Sequence, residues 1–318
     1  MSRWRVLITA PYAMPIIDRF HAALKRHDIE VIVGEVRERL SEDELLPLVG
    51  EIDGIICGDD AFTQRVLAAA PHLRVISKWG TGIDSIDCEA AEEHGIRVCN
   101  TPNAFSEPVA DTVYAHLLSF ARRVPSSDRQ MKKGAWEKPQ LVTLGERVLG
   151  VVGLGNCGKA VVRRAAGFKL TVLGSDVVAP PADFLEATEV EMMGLDELLA
   201  RSDFVTLHTD LNRTSHHLIG ADQLRRMKST AYLVNTSRGP VVEQAALIEA
   251  LRDGTIAGAA LDVFEEEPLP ADSELRGMDN VLLSAHNANS SPAAAERVYE
   301  STIANLLQGL DEVPPREG

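Results

Sequence analysis

Apolar residues along this chain gather in short runs, separated by stretches in which they recur every third or fourth position. In the first third the runs at 5–8, 30–33, 54–57, 74–78 and 97–100 read as β-strands. Between them, residues 15–27 put Ile16, Phe20, Ala23 and Leu24 on one helical face. Ser41, with Glu44 three residues on, is a capping box that opens another helix. This alternation predicts a parallel sheet covered on both faces. A long helix is predicted over 103–123, with Val109, Val113, Leu117 and Phe120 along its buried stripe and Asn103 or Ser106 as its cap. The polar stretch 124–146, around Gly134-Ala135-Trp136, predicts an extended arm.

The rhythm then resumes. Runs at 148–152, 170–174, 204–207, 231–235, 257–261 and 281–284 predict a second, doubly wound sheet. A final amphipathic helix over 293–310 carries Val298, Ile303, Leu306 and Leu307; lying beyond the last strand, it is expected to cross back to the first domain. The tail 311–318, with two prolines, is expected to fray. At 318 residues the chain exceeds what one core usually organises. The expected division is 1–102 plus 290–318 for one domain and 103–289 for the other.

Composition narrows the class. With 45% apolar and 25% charged residues the chain reads as an ordinary soluble protein. No apolar stretch approaches the roughly 18 residues of a membrane span. Met1-Ser2-Arg3-Trp4-Arg5 leads directly into a strand without a leader segment, so the cytoplasm is the expected location. Cys57, Cys88, Cys99 and Cys157 are dispersed, as in a reducing compartment, and form no metal motif. A formal charge of −15 argues against nucleic acid and anionic membranes as partners. A small anionic ligand requires only a local positive group. The pair His216-His217 has no third ligand near it in sequence and reads as surface loop; no metal site is expected.

Residues 148–158 read V-L-G-V-V-G-L-G-N-C-G, a strand breaking into G-x-G-x-x-G. Gly153 suits a tight turn, Gly155 a close approach of backbone to a diphosphate, and Gly158 the packing of helix on strand. Asp176 follows at the end of the next strand, where a carboxylate accepts both ribose hydroxyls and repels a 2′-phosphate; Val177 and Val178 supply no arginine. NAD is the expected cofactor, over NADP. Cys157 reads as a packing residue.

Further on stand Lys78-Trp79-Gly80-Thr81-Gly82-Ile83-Asp84, Asn235-Thr236-Ser237-Arg238-Gly239, and Ala259-Ala260-Leu261-Asp262-Val263-Phe264-Glu265-Glu266-Glu267-Pro268, then His286. In these stretches the chain resembles the D-isomer-specific 2-hydroxyacid dehydrogenases, a family that includes phosphoglycerate dehydrogenases and glyoxylate reductases. The resemblance implies an α/β protein of two doubly wound parallel-sheet domains: a flavodoxin-like substrate domain and an inserted Rossmann NAD-binding domain. It accounts for a nucleotide fingerprint at mid-chain. It also implies hydride transfer between a D-2-hydroxy acid and its 2-keto acid, with Arg238 binding carboxylate and carbonyl, His286 as acid and base, and Glu267 as the partner of His286. Implied cofactor contacts are Thr81, Asn156, Cys157, Thr209, Thr236, Ser237 and Asp262, with the three glycines and Asp176. Implied substrate contacts are Lys78, Trp79, Gly80 and Arg238. A homodimer through the NAD-binding domain, with 103–146 in contact, is expected from the family.

The pattern has departures. The histidine is followed by Asn287-Ala288 where relatives often carry H-x-G, which implies a modified pocket. Lys78 offers the charge a phosphate or second carboxylate wants, or is a solvated strand-end lysine; phosphoglycerate stays open as a substrate without being the expected one. Glu267 argues against a formate dehydrogenase, whose counterpart is glutamine. No appended regulatory domain is expected. Taken singly, one arginine, one glutamate and one histidine of nine are unremarkable surface or core residues. The competing class is a non-enzymatic NAD-binding regulator of the co-repressor type, for which the set Arg238, Glu267 and His286 is superfluous.

Overall fold

The computed structural model describes residues 3–312, so the tail expected to fray lies outside the described residues from 313 onward. The chain divides into two compact units: residues up to Ala104 together with those from Ser291, and Phe105–Ser290.

The first unit runs β1 (Trp4–Ile8), α1 (Ile17–Lys25), β2 (Ile29–Val33), α2 (Glu42–Leu45), β3 (Gly54–Cys57), α3 (Gln64–Ala68), β4 (Val75–Lys78), α4 (Cys88–Glu93) and β5 (Arg97–Cys99). Its strands lie in the order β2-β1-β3-β4-β5, all parallel, which is the flavodoxin-like arrangement. The helix predicted from residue 15 begins at Ile17. Pro11–Ile16 instead forms a 3-10 turn, because its two prolines offer no N–H to an α-helical ladder. Phe20, Ala23 and Leu24 are buried and Ile16 is half-buried. At α2 the Glu44 carboxylate accepts the Ser41 backbone N–H at 2.8 Å, the capping-box contact.

The second unit runs α5 (Ser106–Arg122), α6 (Val124–Lys132), β6 (Val148–Val152), α7 (Asn156–Phe168), β7 (Thr171–Ser175), α8 (Ala182–Thr188), β8 (Glu191–Met192), α9 (Leu195–Arg201), β9 (Phe204–Leu207), α10 (Ala221–Arg226), β10 (Tyr232–Asn235), α11 (Gln244–Arg252), β11 (Gly258–Leu261) and β12 (Val281–Leu283). Its seven-stranded sheet has the order β12-β11-β10-β9-β6-β7-β8, again parallel throughout. β8 adds an edge strand to the six expected; its two residues are too few to show a period. Alternate strand residues face opposite layers. Leu149, Val151, Val234 and Ala260 meet α5 and α7, while Val152, Val205, Leu207, Leu233 and Ala259 meet α9, α10 and α11.

α5 departs from expectation at both ends. Neither Asn103 nor Ser106 caps it: Phe105 holds the cap position without a side-chain bond, and Ser106 is already the first helical residue. Its stripe of Val109, Val113 and Leu117 is buried, worth about 1.5–3 kcal/mol for each large side chain, with Phe120 half-buried. The supposed extended arm starts as a helix, α6, directly after Arg123 turns the chain through a left-handed conformation (φ 52°). No side chain of α6 is buried, so apolar spacing carried no sign of it.

The final helix, α12 (Pro292–Asp311), belongs to the first unit and packs on β3, β4 and β5. Val298 and Leu306 are fully buried, Ile303 and Leu307 half-buried. Ser77 in β4 donates to the Thr302 carbonyl at 2.8 Å. Gly309 lets the helix sit close, since a Cβ there would stand 2.5 Å from Val75 Cγ2. Substituting Gly309→Val is therefore expected to destabilise the protein by about 1–3 kcal/mol through overpacking, read as a lower urea midpoint with the slope unchanged. An unshifted midpoint would mean that α12 is not seated on β4 as described.

Candidate active site

Parallel strands deliver all their outgoing loops to one sheet edge. In the second unit the strand order reverses between β6 and β9, the crevice where doubly wound sheets take ligands. The loops leaving there are Gly153-Leu154-Gly155 and His208-Thr209. Gly153 has φ 88°, and a Cβ on it would lie 2.7 Å from the His208 carbonyl. A Cβ on Gly158 would be 2.0 Å from the Gly153 oxygen. Gly155 caps α7 without a side-chain bond, and a Cβ there would meet nothing within 4 Å; the N–H groups of Asn156 and Cys157, in the first turn, have no partner within the helix.

Asp176 follows β7. One carboxylate oxygen accepts the Leu154 N–H, tying the acid to the glycine turn; the other accepts the Val178 N–H at 2.9 Å. Val177 and Val178 are exposed. The hydroxyls of Thr209 and Thr236, past the ends of β9 and β10, are buried without a hydrogen-bond partner. Burial pushes the His208 imidazole down to about 4 and holds it neutral. Burial raises the Cys157 thiol, with Ser106 Oγ 3.8 Å from its sulfur, so Cys157 is a protonated packing residue. A dinucleotide fits this set: phosphate oxygens suit the open N–H groups of α7, and two orphaned hydroxyls stand ready to donate.

The loops after β10, β11 and β12 carry the charged residues. After β10, buried Asn235 binds the turn from inside: its Oδ1 accepts from the Ser237 N–H and hydroxyl (3.0 and 2.8 Å) and its Nδ2 donates to the Arg238 carbonyl (2.9 Å). Arg238 is half-buried, with one guanidinium nitrogen on the Ser237 carbonyl at 3.0 Å. Gly239 presses on the next loop so closely that a Cβ would fall 1.9 Å from the Phe264 carbonyl. In that loop Glu267 accepts the Phe264 N–H on one oxygen (2.9 Å) and faces His286 Nδ1 with the other (2.8 Å). An ionised carboxylate only accepts, which puts the ring proton on Nδ1 and leaves Nε2 the basic nitrogen. His286 takes a left-handed backbone (φ 46°), its N–H bonded to the Asp262 carbonyl at 2.7 Å.

Asp262 is 1% exposed, and its carboxylate is used largely by the protein. It accepts the Ser284 hydroxyl (2.6 Å), the Asn287 N–H (3.0 Å) and the Ala288 N–H (2.9 Å). Of about four acceptor positions on a carboxylate, three hold the chain around His286. The departure from H-x-G lies here, with Ala288 buried beside this contact.

The remaining anticipated residues lie in the first unit. Lys78 is not a solvated strand end: it is 3% exposed, its ammonium 3.0 Å from Asp59 and 3.4 Å from the Trp79 carbonyl. Burial at the C-terminal end of β4 demands that partner. Trp79 is also buried, its ring tilted against Phe20 at 5.9 Å. Gly80 (φ 128°) begins a turn whose carbonyl accepts the Thr101 N–H, and Thr81 donates its hydroxyl to the Thr101 carbonyl at 2.9 Å.

The sequence reading passed over Asn235 and Gly239. Asn235 bonds to Ser237 and Arg238 just beyond it, so a polar residue closing the strand was a local signal; Gly239 presses on Phe264, far along the chain, and spacing carried no sign of that. His217, expected in a surface loop, holds Glu265 through its ring at 2.8 Å. Among the described residues no helix is long and apolar enough to cross a membrane.

Comparison with known proteins bears on this arrangement. Residues 114–288 match the family described as D-isomer specific 2-hydroxyacid dehydrogenase, NAD binding domain. A glyoxylate reductase from Korarchaeum cryptofilum is 44% identical over 263 residues, covering 80% of this chain and 79% of the relative. A glyoxylate reductase from Thermofilum pendens is 37% identical over 324 residues, 99% and 94% of the two chains. The crystal structure of D-lactate dehydrogenase from Aquifex aeolicus complexed with NAD and lactic acid superposes with a TM-score of 0.87 at 27% identity, over 97% of this chain and 96% of that one. The chain thus belongs to the D-isomer-specific 2-hydroxyacid dehydrogenases, an NAD-dependent oxidoreductase that interconverts 2-hydroxy and 2-keto acids.

Proposed function

We propose that Arg238, Glu267 and His286 perform the family's reaction in this chain and that its substrates are short 2-keto acids of the glyoxylate or hydroxypyruvate kind, reduced to D-2-hydroxy acids. The observation carrying the first part is the Glu267–His286 pair at 2.8 Å, with the second Glu267 oxygen fixed by the Phe264 N–H. NAD, when bound, supplies or accepts the hydride. His286 Nε2 gives its proton to the carbonyl oxygen in reduction and takes the hydroxyl proton in oxidation; Glu267 stabilises the imidazolium between those events. The planar fork of Arg238 holds the substrate carboxylate and polarises the carbonyl. Asp176, with Gly153, Gly155, Asn156, Cys157, Gly158, Thr209, Thr236 and Ser237, forms the NAD site.

The second part is supported by the glyoxylate reductases among the relatives, 44% and 37% identical to this chain. We further propose a cytoplasmic homodimer. Free Cys57, Cys88, Cys99 and Cys157 fit the compartment. Exposed Val124, Met131 and Trp136, the last 77% exposed, fit a dimer contact within 103–146.

Purified protein is expected to oxidise NADH with glyoxylate or hydroxypyruvate and to use 3-phosphohydroxypyruvate with a lower kcat/KM; the reverse ranking would overturn the substrate reading. His286→Ala and Arg238→Ala are each expected to cost about 10²–10⁴-fold in kcat while NADH affinity, followed by fluorescence titration, holds. Normal turnover in either variant removes that residue from the mechanism. Asp176→Ala is expected to erode the preference for NADH over NADPH by roughly tenfold to a hundredfold, the worth of charge-assisted hydrogen bonds to the ribose. Sedimentation velocity on the wild type should give the mass of a dimer.

A further inference from the structure

We infer that His217 is a positioning residue that locks together the two loops bearing Arg238 and Glu267; the inference rests on the catalytic roles proposed above. One residue holds both loops. The His217 backbone N–H donates to the Pro240 carbonyl at 2.7 Å, two residues past Arg238. Its ring Nε2 donates to Glu265 at 2.8 Å, two residues before Glu267. That Glu265 oxygen also accepts the Gln244 N–H at 3.2 Å, and Gln244 Oε1 accepts the Glu265 N–H at 3.3 Å, so the acid is fixed at both ends.

Between these anchors, Gly239 meets the Phe264 carbonyl with no room for a methyl group. Gln244 ties the far end of the Arg238 loop to Glu265. The His217 contacts add a second tie nearer Arg238, because N–H and ring bind opposite partners from a single backbone position. That backbone is left-handed (φ 51°), a conformation that costs a non-glycine residue energy and persists where its surroundings dictate it. The segment leading to it is preformed: Ser215 Oγ donates to the Asp210 carbonyl and accepts the Asn212 N–H at 2.9 Å, and Asn212 Oδ1 accepts the Thr214 N–H at 2.8 Å. The same segment begins at His208-Thr209 against Gly153 and ends with Ile219 bridged to Val242. It therefore spans the crevice loops of the dinucleotide site and the loops of the charged residues.

The test is a double-mutant cycle on steady-state kinetics with glyoxylate and NADH. His217→Ala is expected to lower kcat by roughly ten- to a hundredfold, the cost of misplacing reacting groups by about an ångström, with NADH affinity held within about twofold. His217→Gln, which can still donate to Glu265, should recover most of the loss. Glu265→Ala should reproduce the loss from the other side, and the double variant should be no worse than either single one. Should His217→Ala fail to fold, Glu265→Ala and His217→Gln carry the comparison. Wild-type kcat in Glu265→Ala, or losses that multiply in the double variant, would overturn the clamp. His286→Ala, run beside them, separates the two readings: its activity would sink the catalytic assignment, whereas normal turnover in Glu265→Ala with an inert His286→Ala would sink only the clamp.

Discussion

Everything chemical in the second unit depends on the parallel direction of its strands. Because no strand runs backward, the loops after β6, β9, β10, β11 and β12 leave at the same edge. Residues as distant in sequence as Gly153, Arg238, Glu267 and His286 are gathered by topology and not by local design. The sheet can hold them steadily because both faces are covered by helices. What remains for individual side chains is adjustment over ångströms, and buried Asn235 and Asp262, with half-buried Glu267, supply it by bonding to backbone N–H groups and carbonyls.

The acidic balance of the chain makes that adjustment more exacting. With a formal charge of −15, a site for an anionic acid cannot depend on the general field of the protein. It needs a local positive group, the part proposed above for Arg238. Lys78, the other cation in a suggestive motif, is spent on Asp59.

Legibility followed the same division between local and distant information. The strand runs and glycine fingerprint were readable because continuous burial of a strand covered on both faces and tight turns are local constraints. The capping box at Ser41 and Glu44 was readable for the same reason. β8 was missed because two residues have no period, and α6 because its exposed side chains bear no apolar stripe. The burial of Lys78 was not readable because its partner is nineteen positions back, at Asp59, on a neighbouring loop. His217 looked like loop surface because Glu265 and Pro240 reach it only through the sheet's crossovers. The resemblance to a known family named Arg238, Glu267 and His286; it said nothing of what keeps them in register.

The return of α12 to the first unit makes that unit's cover non-local. The helix that lies on β3, β4 and β5 is joined to them along the chain only through the whole of the second unit. Its seat on the sheet, with Gly309 close on Val75 and Ser77 bonded to the Thr302 carbonyl, therefore has to offset the entropy of closing a very long connection, a demand that no helix of the second unit meets.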